Sequence, residues 1–173
     1  EKGIVVCNVP DYGTNDVADH SIALMLSLAR GLEKYNYEAK YNEKWKWNVA
    51  GELRRLTGST MGIIGLGRIG TATALRAKAY GMNIIFYDPY VSDGKDKSLM
   101  ITRYGNLDEL LAISDIVSLH TPLTSETLSM ANKSFFDKMK SSAILINTAR
   151  GQIFNIDDLY DALKSNIIKA VGT

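Results

Sequence analysis

Three glycines, Gly65, Gly67 and Gly70, form a GxGxxG pattern between an apolar, strand-like run and a helix-like run. In such a pattern the first glycine permits a tight turn and the second lets a pyrophosphate approach the backbone. The third lets the helix pack closely on the strand. The free N–H groups at the start of the helix favour a phosphate anion. The pattern therefore predicts a dinucleotide-binding turn.

Asp88 ends the next apolar run, about 20 residues further on, where dinucleotide-binding folds place an acidic residue. Its carboxylate can accept hydrogen bonds from the adenosine ribose and would repel the 2′-phosphate of NADP, so the pairing predicts NAD. Two alternatives stay open at this point. Asp88 could merely cap the turn before Pro89, and methyltransferases that bind S-adenosylmethionine can carry a similar loop and acidic residue.

Polar residues also follow two later apolar runs, at His120–Leu123 and at Asn147–Gly151. Open parallel sheets bind ligands at the carboxyl ends of their strands. Arg150 is the most informative of these residues, because a guanidinium can bind a carboxylate through two parallel hydrogen bonds and stays charged. We expect Arg150 to bind a substrate carboxylate, and an ion pair with Asp157 or Asp158 is the alternative.

The sequence contains two histidines, His20 and His120. His120 precedes Thr121-Pro122 in a tight turn, so we expect it to line the cofactor pocket rather than to act as a general base. His20 lies in a helical pattern and is expected to make a surface or interface hydrogen bond. No HExxH or other metal-ligand spacing is present in the sequence, so no metal site is predicted.

From Thr60 onward, strand-like runs alternate with helical patterns, which is typical of a parallel sheet covered on both faces. The predicted fold class is α/β, a Rossmann doubly wound parallel sheet with helices on both faces. Strands are predicted near Thr60–Ile64, Asn83–Tyr87, Asp115–Leu119, Ala143–Asn147 and Lys169–Gly172. Helices are predicted near Ile69–Tyr80, Leu107–Ala112, Lys133–Met139 and Ile156–Ser165, the last two with start signals at Asn132 and Asn155.

Two other elements are predicted before that alternation. Gly3–Val9 is a β-branched run that predicts a short strand, in which Cys7 is expected to be a small buried residue. A long helix is predicted next, capped by Asn15 or Asp16 and with apolar residues at three- and four-residue steps as far as Leu32. Its apolar stripe could pack on a partner subunit or within its own chain.

The composition narrows the class of protein. The chain has 173 residues, of which 46% are hydrophobic and 23% charged, as in an ordinary globular domain. A net charge of +1 provides no strong field for nucleic acid or an anionic membrane, so neither is expected as a partner. A single cysteine fits a reducing compartment, and no apolar run reaches the roughly 20 residues that cross a bilayer. The expected location is cytoplasmic.

With these motifs in order, the sequence resembles the D-isomer-specific 2-hydroxyacid dehydrogenases over nearly its whole length. The matching motifs are VADHSIALML from Val17, GLGRIG from Gly65, YDP ending at Pro89, HTPLTSET from His120 and INTARGQ from Ile146. The runs that begin at Leu75 and Phe86 look most like the C-terminal-binding-protein branch, which includes NAD(H)-binding transcriptional corepressors.

The motifs and the resemblance together imply a set of NAD-binding residues. These are Gly65, Gly67, Arg68, Ile69, Gly70, Asp88, His120, Thr121, Pro122, Thr127, Thr148 and Ala149. By the resemblance, Arg68 and Ile69 would contact the pyrophosphate. Thr148 and Ala149 would line the nicotinamide side. Arg150 would be the family's catalytic arginine, which binds the substrate carboxylate and helps polarise the C2 oxygen.

In the family pattern, the proton-transfer histidine, the glutamate that orients it and an acidic residue beside the nicotinamide all come later than Thr173. We therefore expect a piece of a longer polypeptide. Residues 1–13 would cross from a substrate domain, and residues 14–173 would form a C-terminally incomplete NAD-binding domain. Such a piece would bind NAD(H) but would not turn over at an enzymic rate by itself.

Two functions are predicted. The first is an NAD-dependent oxidoreductase that moves hydride between the nicotinamide and C2 of a D-2-hydroxy acid or its 2-oxo acid. The second is an NAD(H)-sensing, corepressor-like binding protein. Trp45 and Trp47 lie where many catalytic relatives have tryptophan, which favours the enzyme.

By the resemblance, the dimer contact of the family predicts a homodimer through the long N-terminal helix. Arg150 in INTARG, and Asp88 combined with HTPLT, disfavour the methyltransferase.

Overall fold

The computed structural model describes residues 3–42 and 46–173, and in these ranges six parallel strands form one sheet. Their spatial order is β3-β2-β1-β4-β5-β6, so the order reverses between β1 and β4. The strands are β1 (Thr60–Ile64), β2 (Asn83–Tyr87), β3 (Thr102–Arg103), β4 (Ile116–Leu119), β5 (Ile144–Asn147) and β6 (Ala170–Gly172). This is the strand order of a doubly wound sheet.

Helices cover both faces of the sheet. They are α1 (Thr14–Arg30), α2 (Leu32–Tyr41), α3 (Arg68–Ala79), α4 (Lys95–Leu99), α5 (Leu107–Ile113), α6 (Lys133–Lys138) and α7 (Ile156–Lys164). One core contains Met25 of α1 and Ala74 of α3. The other contains Leu110 of α5, Phe136 of α6 and Leu159 of α7. The predicted α/β fold class is confirmed.

Alternate side chains of each central strand enter opposite cores. In β5, Ile144 and Ile146 belong to the core under α1 and α3, whereas Leu145 belongs to the core under α5 to α7. All three side chains are fully buried. Successive strand residues point to opposite faces, so a sheet covered on both sides needs a continuous apolar run rather than an alternating one. These runs explain why the predicted strands agree with the structure to within one residue.

The predicted helices after Thr60 also agree to within one residue, because local capping sets where two of them begin. The side-chain oxygen of Asn132 accepts a hydrogen bond from the Phe135 N–H at 3.3 Å. Asn155 accepts one from the Asp158 N–H at 3.2 Å. Each bond satisfies a backbone donor that the first turn of a helix leaves without a partner.

The strand predicted at Gly3–Val9 is wrong, and so is the buried position expected for Cys7. The segment is irregular, Cys7 is exposed, and the side chains of Val5 and Val6 are 85% and 88% exposed. A β-branched run becomes a strand only where a neighbouring strand takes its backbone hydrogen bonds. No strand of the described ranges pairs with this segment.

The long N-terminal helix is present as α1, which ends two residues before Leu32 and begins without a side-chain cap. Gly31 ends α1 with a left-handed backbone (φ 63°) before α2 starts. Asn15 and Asp16 lie inside the first turn and do not cap it, and the Asn15 side-chain oxygen instead accepts a hydrogen bond from Arg76 of α3 at 3.1 Å. The apolar stripe of α1 packs on α3 and the sheet of its own chain.

Three short elements were absent from the sequence predictions, namely α4, β3 and a 3-10 turn at Gly151–Ile153. α4 has five residues and β3 only two, too few for a periodic pattern, and β3 pairs with β2 at the edge of the sheet.

The predicted boundary between residues 1–13 and 14–173 coincides with the start of α1 and stays a prediction. Trp45 lies outside the described residues, whereas Trp47 is 87% exposed. No helix in the described ranges is both long and apolar enough to cross a membrane.

A cluster of charged side chains around Asp115 lies at the edge of the sheet where the strands begin. One carboxylate oxygen of Asp115 lies 2.9 Å from the Arg54 guanidinium and 3.0 Å from the Lys140 ammonium. The other accepts a hydrogen bond from the Thr60 N–H at 2.9 Å. Burial by itself raises the pKa of Asp115, but the Thr60 N–H, Lys140 and Arg54 together outweigh it and lower that pKa.

We predict that Asp115→Asn lowers the free energy of unfolding at neutral pH by about 1–3 kcal/mol, because it leaves two partly buried cations without their counter-charge. A carboxyl with a lowered folded-state pKa stabilises the fold fully above its unfolded-state pKa, near 3.8. That stabilisation is lost as the pH falls through the lower folded-state value. Urea denaturation from neutral to acid pH measures both effects.

The matched control is Asp137→Asn, which removes the same charge from the exposed Lys133–Asp137 pair on α6. This change should cost less than about 0.5 kcal/mol. Equal losses in the two variants would show that the Asp115 cluster contributes no more than an ordinary surface ion pair.

Candidate functional site

A cleft of about 710 Å³ opens at the carboxyl edge of the sheet, where β1, β2 and β4 end. Ile64 of β1 is in register with Tyr87 of β2 and with Leu119 of β4, so the three following loops leave the sheet side by side. The predicted site residues that line the cleft are Gly65, Gly67, Asp88, His120, Thr121, Pro122 and Thr127. A smaller depression of about 400 Å³, between α6 and α7, contains none of them.

The glycines of the GxGxxG loop have different surroundings. A Cβ atom on Gly65 (φ 90°) would lie 2.8 Å from the His120 carbonyl oxygen, and one on Gly70 only 2.0 Å from the Gly65 carbonyl oxygen. The backbone itself fills these two positions. A Cβ on Gly67 would have no atom within 4 Å. Open space therefore remains at the N-terminus of α3, where a phosphate group could approach the N–H groups.

Asp88 is attached to the glycine loop. One carboxylate oxygen accepts a hydrogen bond from the Leu66 N–H at 2.8 Å, and the other accepts one from the Tyr90 N–H at 2.9 Å. The second bond shows that Asp88 does cap its own turn, and the first links it to the predicted phosphate site. A carboxylate has about four acceptor positions, so both oxygens can still accept hydrogen bonds from ribose hydroxyls.

His120 carries no charge at neutral pH. Burial lowers the pKa of His120 to about 4, and its Nε2 atom lies 2.9 Å from the Ser118 hydroxyl. Next to it, the buried Thr121 hydroxyl has no hydrogen-bond partner among the described residues. Buried hydroxyls normally have one, so this hydroxyl is available to a molecule bound in the cleft.

The loop that contains Pro122 and Thr127 is held by its own hydrogen bonds. The Thr127 hydroxyl donates to the Pro122 carbonyl oxygen at 2.6 Å and accepts from the Thr124 N–H at 2.8 Å. Thr127 therefore shapes the wall of the cleft, whichever other contacts its hydroxyl makes. Arg68 and Ile69 are not among the lining residues of the cleft and lie in the first turn of α3, with Arg68 exposed.

A second group of predicted residues follows β5. Thr148 shares a hydrogen bond of 2.7 Å with Ser21 of α1, and Asn147 binds both the Ala149 N–H and the Arg150 carbonyl oxygen. The contributions of Ser21 and Asn147 were not predicted, although the two residues belong to the motifs VADHSIALML and INTARGQ. These two residues hold the turn that presents Arg150.

Arg150 is exposed, and its guanidinium donates to the Ala149 carbonyl oxygen at 2.7 Å. The alternative of an ion pair with Asp157 or Asp158 is not found in the described part of the chain. Asp158 instead accepts a hydrogen bond from the Lys133 N–H at 2.9 Å. The second histidine, His20, lies exposed on α1.

Taken together, the doubly wound sheet, the open glycine loop and the anchored Asp88 define a dinucleotide-binding domain. Residues 22–173 match the family described as D-isomer specific 2-hydroxyacid dehydrogenase, NAD binding domain, and the chain belongs to this family. The match sets the methyltransferase alternative aside and confirms NAD as the cofactor. The free Thr121 hydroxyl and the open space beside Gly67 fit that cofactor.

The relatives of the chain include a C-terminal-binding protein as well as dehydrogenases and reductases. C-terminal-binding protein 1 of Caenorhabditis elegans is 39% identical over 99% of this chain and 24% of that protein. Hydroxypyruvate reductase of Blautia hydrogenotrophica is 42% identical over 99% of this chain and 54% of that protein. The solved structure of D-lactate dehydrogenase from Aquifex aeolicus, complexed with NAD and lactic acid, is 36% identical. Its TM-score is 0.87, over 98% of this chain and 50% of that one. The chain thus spans about a quarter to about half of these relatives.

We predict that Gly70→Ala mainly affects stability, whereas Gly67→Ala mainly affects NADH binding. Gly70→Ala should lower the free energy of unfolding by about 1–3 kcal/mol, because the added Cβ atom overlaps the backbone. Gly67→Ala should cost at most about 1 kcal/mol as an N-cap change. It should weaken NADH binding roughly tenfold, as expected if one charge-assisted hydrogen bond is lost.

Urea denaturation and calorimetric titration with NADH measure the two effects in the full-length protein. Each variant serves as the control for the other. If Gly67→Ala binds NADH as tightly as the unchanged protein, the pyrophosphate does not lie over the middle glycine.

Proposed function

We propose that the full-length protein is an NAD-dependent oxidoreductase that transfers hydride between the nicotinamide and C2 of a D-2-hydroxy acid or its 2-oxo acid. The observation that carries this proposal is Arg150, an exposed guanidinium with no ion pair among the described residues. It follows the strand next to β4, at the same edge of the sheet as the NAD cleft. Family membership of the NAD-binding domain supports it.

The cofactor would lie across the point where the strand order reverses. In this proposal the first turn of α3, with Arg68 and Ile69, binds the pyrophosphate through its N–H groups. Asp88 accepts hydrogen bonds from the adenosine ribose, and its negative charge disfavours the 2′-phosphate of NADP. NAD would extend past Thr121 toward the turn after β5, where Thr148 and Ala149 would line the nicotinamide side.

When bound, NAD supplies the acceptor or donor of the hydride. The residues of this chain would do the remaining work of binding and orientation. Arg150 would bind the substrate carboxylate through two parallel hydrogen bonds and polarise the C2 oxygen. His120 is engaged with Ser118 and neutral, which suits a wall of the cofactor cleft better than a proton carrier. By the family resemblance, too, His120 is not the proton-transfer histidine.

We predict that Arg150→Ala in the full-length protein lowers kcat/KM for 2-oxo acid reduction far more than it weakens NADH binding. Each charge-assisted hydrogen bond to the carboxylate contributes about 1.5–3 kcal/mol, so the loss should be at least roughly tenfold. Steady-state assays with a panel of 2-oxo acids and calorimetric titration with NADH give the two quantities.

Arg150→Lys is the matched control, because it keeps the positive charge but loses the two-pronged hydrogen bonding. Its kcat/KM should fall between those of the other two proteins. Unchanged turnover in Arg150→Ala would contradict the role given to this residue.

A second candidate function is an NAD(H)-sensing, corepressor-like binding protein. The observation that favours it is the 39% identity to C-terminal-binding protein 1 along 99% of this chain. The two candidates share the NAD cleft and differ in chemistry. NADH binding without turnover of any 2-oxo acid in the panel would support the second candidate over the first.

The partner and location predictions belong to the same proposal. The expected small-molecule partner is a 2-hydroxy acid or 2-oxo acid. The buried stripe of α1 is used within the chain, so a homodimer through this region would rely on the exposed apolar side chains that follow it. These are Leu32, Tyr37, Tyr41 and Trp47. Sedimentation equilibrium of the full-length protein tests whether it forms a dimer.

The cytoplasmic location stays a prediction.

A further inference from the structure

Two exposed side chains, Tyr90 and Glu126, meet at the rim of the NAD cleft. Tyr90 belongs to the loop after β2 and Glu126 to the loop after β4, and the Tyr90 hydroxyl donates a hydrogen bond to the Glu126 carboxylate. Both residues line the cleft that contains Asp88. The contact therefore connects the two loops that diverge on either side of β1.

Tyr90 is also connected to Asp88, since its backbone N–H donates to that carboxylate at 2.9 Å. The pKa of the Tyr90 phenol is raised, first by its hydrogen bond to Glu126, and the negative charges of Glu126 and Asp88 contribute. Both carboxylates thus act on the same group. A molecule that enters between the two loops would meet two negative charges rather than one.

Arg103, the first arginine after β2 in the sequence, does not balance these charges. The Arg103 guanidinium pairs with Asp93 at 3.0 Å, and it also donates to the carbonyl oxygens of Asp88 and Val91. NADP-binding domains accommodate the 2′-phosphate with an arginine near the ribose. In this chain, Arg103 instead makes its ion pair and hydrogen bonds with the loop after β2.

We propose that Glu126, held in place by Tyr90, is a second specificity-determining carboxylate that favours NAD over NADP. This inference rests on the proposed placement of the adenosine ribose at Asp88. A phosphate monoester carries a charge of about −1.5 to −2 near neutral pH, so each carboxylate at the rim repels it. The repulsion acts through solvent and is therefore weakened by salt.

The test compares the dissociation constants of NADPH and NADH for the full-length protein and for Glu126→Gln, by calorimetry. The glutamine keeps an oxygen that can accept the Tyr90 hydroxyl bond but removes the charge. We expect the ratio of the NADPH constant to the NADH constant to fall about fivefold at low salt, the upper range for one exposed charge. The difference should shrink toward zero at about 1 M salt, where the Debye length is about 3 Å.

Two further variants separate charge from geometry. Tyr90→Phe keeps the carboxylate but releases it from the rim, so the ratio should fall by less than in Glu126→Gln. Glu33→Gln removes one exposed negative charge from α2, away from the cleft, and should leave the ratio unchanged.

An unchanged ratio in Glu126→Gln, with NADH still bound, would overturn this proposal and leave the proposed function intact. A change of ratio that is equally large at low and high salt would also overturn it, because the effect would not be electrostatic. If the folded, unchanged protein does not bind NADH, the placement of the cofactor at Asp88 fails as well.

Discussion

The site depends on two backbone hydrogen bonds that extend the sheet beyond the end of β1. The Gly65 N–H donates to the Tyr87 carbonyl oxygen at 3.0 Å, and the His120 N–H donates to the Ile64 carbonyl oxygen at 2.8 Å. They fix the starting points of the loops after β2 and β4, each one strand spacing from the loop after β1. Because α3, which follows β1, and α6, which follows β4, cover opposite faces of the sheet, a cleft must open between the loops.

This constraint accounts for the chemistry of the cleft. The backbone at Gly65 and Gly70 is too close to its neighbours to carry side chains, so only Gly67 leaves room beside the start of α3. Asp88 accepts a hydrogen bond from the Leu66 N–H of the same loop, so in the proposed binding mode the phosphate and ribose positions would be set relative to each other. His120 is neutral, and the charges that line the cleft are therefore the carboxylates Asp88 and Glu126.

Much of this arrangement could be predicted from the sequence, because its causes are local. Apolar runs, asparagine caps and the glycine pattern each act within a few residues, and the strands after Thr60 agree with the structure to within one residue. The predictions that failed depend on partners distant in the sequence. Gly3–Val9 has strand-like composition but no neighbouring strand, and Cys7 is exposed with it. Likewise, no periodic pattern in the sequence predicts the two-residue strand β3 or the contact between Tyr90 and Glu126.

The most direct test of the account is a calorimetric titration of the full-length protein with NADH and with NADPH, repeated on Asp88→Ala. If the adenosine ribose is bound at Asp88, the unchanged protein should bind NADH in preference to NADPH. The variant should lose affinity for NADH and most of that preference, while its unfolding transition remains cooperative. An Asp88→Ala protein that still binds NADH with the original affinity and preference would contradict the placement of the cofactor in this cleft.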